Sequence, residues 1–340
     1  MTRRPTAWDR AQILREVGPG VHRSRVAVSV RRLLKPLAMT LRHPIARTGA
    51  LLACLGALLA IYFALARPWF LRWGATDAEI AMQLPGDEIV TRAASQETRA
   101  ITIQAPAGAV FPWLAQIGQD RAGFYSYQSL ENLFGCEMPD VRALDPRLAR
   151  WTVGDKLWMY PPRKAGGAGF AVLMRFDLGH ALVFGTRQLG TATTAPPDAS
   201  WAFVVQPIDE TSSRVLFRGR GAGGLHRFAA AFTAGVFEPV HFAMEQRTLQ
   251  GVKMLAEGRQ PSRLLDDLQV ATWAMLFVGF VVSGVLVLAG YRPGEQLAAF
   301  VACGLLFQLL TLAQPSPLIG LLLLFSVGGL AAIVRRRAGP

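Results

Sequence analysis

The stretch Phe232-Thr-Ala-Gly-Val-Phe-Glu-Pro-Val-His-Phe-Ala-Met-Glu-Gln-Arg-Thr-Leu-Gln-Gly-Val-Lys-Met-Leu-Ala-Glu257 reads as one long helix, stopped by Gly258. Five segments run up to it: Val153–Tyr160, Phe170–Phe176, Ala181–Arg187, Ser200–Pro207 and Ser213–Arg220. Each reads as a strand, and Gly, Pro and Asp turns separate them. Further back, Ile101 and Ile103 alternate and make Arg99–Gln104 a strand. Pro106 then opens a helix that runs to about Ile117 and stops at Gly118, with Pro112 expected to kink it or delay its start. Ser126–Phe134 reads as a short helix capped by Ser126 and ended by Gly135. A strand, two helices, a run of antiparallel strands and a long final helix make an α+β domain. Its curved antiparallel sheet is expected to wrap the last helix and enclose a cavity.

What flanks this domain is apolar. Of the 340 residues, 51% are hydrophobic and only 17% charged, against the usual quarter. The net charge of +13 sits at the ends. Residues 1–47 hold eleven Lys/Arg against two acids, and Arg335, Arg336 and Arg337 close the chain. The middle is nearly neutral, so no nucleic-acid partner is expected; a binder would carry its basic face on the folded domain. In the 1–47 arm, Val26, Val30, Leu33, Leu37 and Leu41 recur at helical spacing among basic residues. That pattern suits either an anionic membrane surface or a solvated tail.

Thr48–Ala66 carries no charge and would span about 28 Å as a helix, close to the hydrocarbon thickness. Tyr62, Trp69 and Trp73 stand where an interfacial aromatic belt would. Its position far from the start reads as a retained anchor rather than a signal peptide. Leu268–Tyr291 is uncharged, and a second uncharged run from Glu295 to Arg335 is broken by Gln314-Pro-Ser-Pro317. Four transmembrane helices follow as expectations: 48–66, 269–290, 296–313 and 317–334, with a basic tail at 335–340. The distribution of basic residues places both termini in the cytoplasm and the domain at 72–258 outside it, in a multi-pass protein of the cell membrane. Cys54, Cys136 and Cys303 leave only one cysteine in the domain, so no disulfide can form within it.

The chemistry-bearing residues are few. Gly123-Phe-Tyr-Ser-Tyr-Gln-Ser-Leu-Glu-Asn132 packs aromatic bodies with polar tips. On the long helix, Glu238, His241 and Glu245 are spaced three and four apart and share a face. They lie beside Phe237, Met244, Thr248 and Leu255, a stripe expected to face the sheet. Three readings stay open: polar residues satisfied in or beside the core, a polar cluster at a cavity wall that orients a ligand, and an acid–base or metal site. His241 with Glu131 or Glu245 could exchange protons near neutrality. A metal would need a third ligand, for which Glu131 and Asp155 are candidates; HExxH is absent, and no metal or other cofactor is expected. The ligand-lining candidates are Trp113, Phe124, Tyr125, Tyr127, Glu131, Trp158, Trp201, His241 and Met244, with Phe203 buried or lining beside them. Arg175, Arg187 and Arg218 lie on expected strands, and one of them facing inward would suit an acidic head group. Gly219–Gly224 reads as a loop before the last helix, able to serve as a lid. Neither a nucleophile elbow nor a Walker loop occurs.

Several runs together carry a resemblance. They are Arg72-Trp-Gly-Ala-Thr-Asp-Ala-Glu, Leu84-Pro-Gly-Asp-Glu, Ala100-Ile-Thr-Ile-Gln-Ala-Pro, Val110-Phe-Pro-Trp-Leu-Ala-Gln-Ile-Gly-Gln, Gly123-Phe-Tyr-Ser-Tyr, Leu130-Glu-Asn, Val153-Gly-Asp and Glu238-Pro-Val-His-Phe-Ala-Met-Glu. Residues 72–258 resemble the SRPBCC superfamily, the START-like, Bet v 1-like and polyketide-cyclase-like helix-grip proteins. The resemblance implies a deep cavity between a curved sheet and a C-terminal helix. The superfamily includes lipid carriers as well as enzymes, so it bears on fold more than on activity. The leading expectation is a bilayer-anchored domain that binds a hydrophobic or amphipathic small molecule, such as a lipid. A cyclase-like enzyme using a His/Glu pair and a structural protein that recruits a partner are the alternatives.

Overall fold

The computed structural model describes residues 41–164, 169–186, 197–224 and 227–326. The expectations for the arm up to residue 40, Arg187, the end of the fourth span and the basic tail fall outside those residues. The chain divides into two compact units. One holds residues up to Leu59 together with Leu276–Leu306; the other holds Ala60–Met275 and the residues from Phe307 on.

Among the described residues, three helices are long and apolar enough to cross a membrane: α1 (Pro44–Phe70), α7 (Arg263–Ala289) and α8 (Pro293–Ala313). This corrects the expected four. The described part of the fourth, α9 (Pro317–Ser326), is a shorter apolar helix, and 327–334 lie outside the described residues. α1 is also longer than Thr48–Ala66 because Arg67-Pro-Trp-Phe continues it through a π-turn at Tyr62–Ala66. In the first unit the helices meet at glycines. A Cβ on Gly304 would come 2.7 Å from Leu58, and one on Gly284 would come 3.3 Å from Phe300. Small residues let helices approach closely where burial from water offers no drive.

The second unit is an α+β domain. Among its described residues are six strands, β1 (Ser95–Ile103), β2 (Lys156–Trp158), β3 (Phe170–Asp177), β4 (Ala181–Thr186), β5 (Ala199–Pro207) and β6 (Ser213–Gly221). They form one antiparallel sheet in the order β1-β6-β5-β4-β3-β2, with a bulge in β3 at Leu173/Arg175. The helices here are α2 (Asp77–Ala81), α3 (Ala107–Ala115), α4 (Gln128–Leu133), a short α5 (Arg227–Phe232), and α6 (Glu238–Ala256), which follows α5 without a break through a π-turn at Thr233–Phe237. The long helix therefore starts at Arg227, before the expected Phe232. Gly219 and Gly221, expected in a loop, lie in β6.

Period two gives the sheet two apolar faces. One carries Ile103, Leu182, Phe184, Phe203, Val215 and Phe217, buried against Leu249, Val252 and Leu255 of α6 and against Val110 and Leu114 of α3. Phe203 and Phe217 stack 4.2 Å apart at its centre. The other carries Ala100, Val183, Ala202, Val204 and Leu216, covered by Leu84 and Ile89 from the segment before β1. Arg218 belongs to this covered outer layer. It pairs with Asp87 at 2.9 Å and donates to the carbonyls of Glu79 and Met82, so it does not reach the α6 side. Arg175 is exposed and pairs with Asp177.

Of the expected stripe of α6, Thr248 and Leu255 are buried, together with Phe242, Glu245, Leu249 and Val252, whereas Phe237 is exposed. Ser126 does not cap α4; Tyr127 holds that position, and the Ser126 hydroxyl donates to the Met244 carbonyl of α6 at 3.1 Å.

Candidate functional site

Two elements bring the interior charges together. On β1, alternation turns Glu97 and Arg99 to the face that α6 covers. On α6, His241 and Glu245 stand one turn apart. The Arg99 guanidinium is fully buried. It bonds the Glu245 carboxylate, the Glu97 Oε2 at 2.6 Å and the Phe70 carbonyl at 3.1 Å, and it lies 5.0 Å from the centre of the Phe242 ring. Trp201 Nε1 donates to the other Glu245 oxygen at 2.7 Å. Both oxygens of Glu245 are therefore engaged inside the domain. Glu97 keeps Oε1, which faces His241 Nδ1 at 3.7 Å.

Gly219 makes room for this arrangement. It stands between Glu97 on β1 and Trp201 on β5 in the ladder, and a Cβ there would come 2.7 Å from Glu97 Oε1. The His241 ring, about one-quarter exposed, stacks on Phe237 at 5.5 Å and meets Trp201 at 5.4 Å. Burial opposes ionisation of Glu245, but the Arg99 charge, His241 and the two hydrogen bonds outweigh it and hold the carboxyl below its ordinary range. Ligand atoms of Glu97, His241 and Glu245 all lie within 4.8 Å of one another. Arg99 already supplies positive charge between the two carboxylates, so the trio is organised as an ion-pair network.

The other sequence candidates fall elsewhere. Trp113, Phe124 and Tyr125 are in the packed core, with the Tyr125 hydroxyl accepting from Gln116 Nε2 at 2.7 Å. Burial pushes the Tyr125 and Tyr127 hydroxyls well above their ordinary values. Tyr127 packs edge-on against Trp273 at 4.8 Å. Trp158 is on β2, at the opposite edge of the sheet from Glu97, against Phe170. Met244 is half-buried beside Ser126. Asp155 accepts from the Thr152 amide in the turn before β2. A cleft of about 180 Å³, counting its open mouth, lies among Gln269, Trp273, Leu310 and Pro315; it shares no lining residue with the Glu97–His241 cluster and is smaller than ordinary small-molecule pockets.

Glu131 stands apart from His241. It is buried on α4, and burial alone pushes its carboxyl up to about 7. As pH rises from the ordinary 4.5, the unfolded chain loses this proton first while the folded domain keeps it until about 7. Stability therefore falls across that window and levels off above it. Glu131→Gln removes the dependence. Between pH 4.5 and 8 the variant should gain on the wild type by up to about 3 kcal/mol, at ~1.4 kcal/mol per unit. Paired melting curves measure this, and a constant difference across the window would rule it out.

No family model and no curated protein matches the chain. Among solved structures it is similar to a polyketide-cyclase-like protein from Corynebacterium glutamicum, solved by NMR, at 12% identity and a TM-score of 0.25, over 48% of this chain and 91% of that one. A likeness at that score carries no weight for function.

Proposed function

We propose that the domain is a helix-grip fold tethered to the bilayer, and that it binds an amphipathic small molecule, of which a membrane lipid is the leading case. The observation that carries the reading is the Glu97–His241 pair, open beside Trp201 and Phe237 and backed by a fully buried Arg99–Glu245 pair. It joins a polar group to an aromatic wall at one end of an apolar interior. The formal charges of Glu97, Glu245 and Arg99 sum to one negative charge, which suits a ligand polar group that donates hydrogen bonds or is cationic. The charge distribution supports cytoplasmic termini and an extracytoplasmic domain.

The full chain, purified from membrane, should carry one lipid class enriched over the bulk extract, and Glu97→Gln should cut that enrichment about tenfold (~1.4 kcal/mol). The glutamine still accepts from Arg99, so the fold survives. A lipid profile equal to the bulk in both proteins would defeat the proposal. One observation favours an enzymatic second reading: His241 has Glu97 within 3.7 Å as a proton-exchange partner, a role closed to Glu245 because Arg99 and Trp201 engage both of its oxygens. His241→Gln would then abolish turnover but leave ligand retention intact.

A further inference from the structure

The helical stretch from Arg227 to Val240 presents an apolar surface that no described residue covers. Phe228–Phe237 contains no charged residue, and neither α5 nor its π-turn has a buried residue. Phe228 is 79% exposed, Phe232 52%, Phe237 56% and Val240 58%. Exposed apolar surface of this extent marks a protein or membrane contact.

Its depth is set by two bonds to α1. The buried Tyr62 hydroxyl donates to the Ala234 carbonyl at 2.6 Å, so the π-turn of one helix meets the π-turn of the other. Arg67 grips Glu238 through two bonds, of 2.6 and 2.9 Å. Along α1, Tyr62 lies four residues, or about 6 Å, inside the last uncharged residue, Ala66. Helical side chains also lean toward the amino terminus, which carries the hydroxyl deeper still. Ala234 is therefore level with the apolar run of α1, and Glu238 with the first charge beyond it. Going backward from Glu238, the chain moves toward the bilayer.

We infer that Arg227–Val240 is seated in the bilayer, at the hydrocarbon–headgroup boundary of the leaflet that the carboxyl end of α1 reaches, with Phe228, Phe232, Phe237 and Val240 in contact with lipid. Lipid is taken as the occupant because α1, an apolar helix long enough to cross a bilayer, also exposes Phe63 and Leu65 in the turns that Tyr62 and Arg67 tie to this stretch. His241 follows one residue after Val240, so the polar cluster opens just above the boundary.

The test uses the full chain with Cys54, Cys136 and Cys303 replaced by alanine, in nanodiscs of phosphatidylcholine and phosphatidylglycerol. Nitroxides go on single cysteines at Phe228, Phe232 and, as the aqueous control, the 82%-exposed Leu178 in the β3–β4 turn. Collisions with oxygen should exceed those with a water-soluble nickel chelate at least about threefold at Phe228 and Phe232, and the ratio should invert at Leu178. Nickel access equal to that at Leu178 would overturn the inference. So would shielding from both reagents, which would place a protein partner or a second copy there. If the cysteine-free background fails to fold, the native chain answers instead: a phosphatidylcholine with an acyl-chain diazirine should label the 227–240 peptide, and no label there overturns it. Loss of lipid enrichment in Glu97→Gln leaves these readouts unchanged.

Discussion

Arg99→Met should destabilise the domain by about 3–5 kcal/mol. That corresponds to a fall in melting temperature of roughly 6–20 °C for a domain of this size. Arg99 is fully buried and is the cation for both Glu97 and Glu245. Methionine fills much of its space beside Phe242 but leaves Glu245 buried, with Trp201 as its remaining donor. The sign with pH identifies the cause. Arg99 holds the Glu245 carboxyl below its ordinary 4.5, so the stabilisation is present above that value and fades as pH falls through the lowered one. The deficit of Arg99→Met should accordingly be largest at neutral pH and shrink in acid, where the stranded carboxyl takes a proton. Adding Glu245→Leu should recover most of the loss, since an apolar pair of similar volume can replace a buried ion pair. Melting followed by tryptophan fluorescence at pH 7.5 and 5 measures all three; a single-variant loss below about 3 °C would sink the claim.

This network shows what could be read from the residues alone. Strand β1 was recognisable from Ile101 and Ile103, because apolar alternation signals a half-buried strand. Its first four residues, Ser95-Gln-Glu-Thr98, are polar, so apolar alternation marks the strand only from Arg99 on and Glu97 carries no strand signal. Glu97, Arg99 and Glu245 carry no local signal for one another; 146 residues separate Arg99 from Glu245, and only the fold brings them together. The long helix was legible from Phe232 on, and polar and apolar residues alternate around it from Glu238. Phe228–Ala231 has no polar side, so no helical period announces the first turn. The outer cover, Leu84 to Ile89, is built of turns and has no helical or strand period, so its packing on the sheet was not legible. Glu238, His241 and Glu245 lie on one helix, as expected from their spacing. The partners of the two glutamates, Arg67 and Arg99, come from distant elements.

Gly251→Ala should lower stability, although glycine to alanine inside a helix ordinarily raises it by up to about 1 kcal/mol. Gly251 is in the middle of α6 with an ordinary helical backbone, so propensity alone favours the change. Packing opposes it. A Cβ there would stand 2.5 Å from the Tyr125 carbonyl oxygen and 2.8 Å from the Tyr125 Cβ. Tyr125 has no room to retreat. Its backbone is already in the left-handed region, at φ +54°, which a bulky residue adopts only under constraint. Its hydroxyl accepts from Gln116, its ring abuts Trp113, and the next residue, Ser126, bonds the Met244 carbonyl. Accommodating a methyl therefore means moving α6 away from the Gly123–Asn132 stretch, and Gly251→Val would move it further. Overpacking a filled interior costs about 1–3 kcal/mol per such insertion, and contact with backbone rather than a flexible side chain puts valine at or above the upper figure. The expected order of melting temperatures is wild type, then Gly251→Ala, then Gly251→Val, the last at least about 6 °C down. An alanine variant more stable than the wild type would mean that α6 and the Tyr125 backbone do not touch. The same displacement would lift Glu245 from Arg99, two turns earlier on the same helix, so Gly251→Val and Arg99→Met should be less than additive when combined.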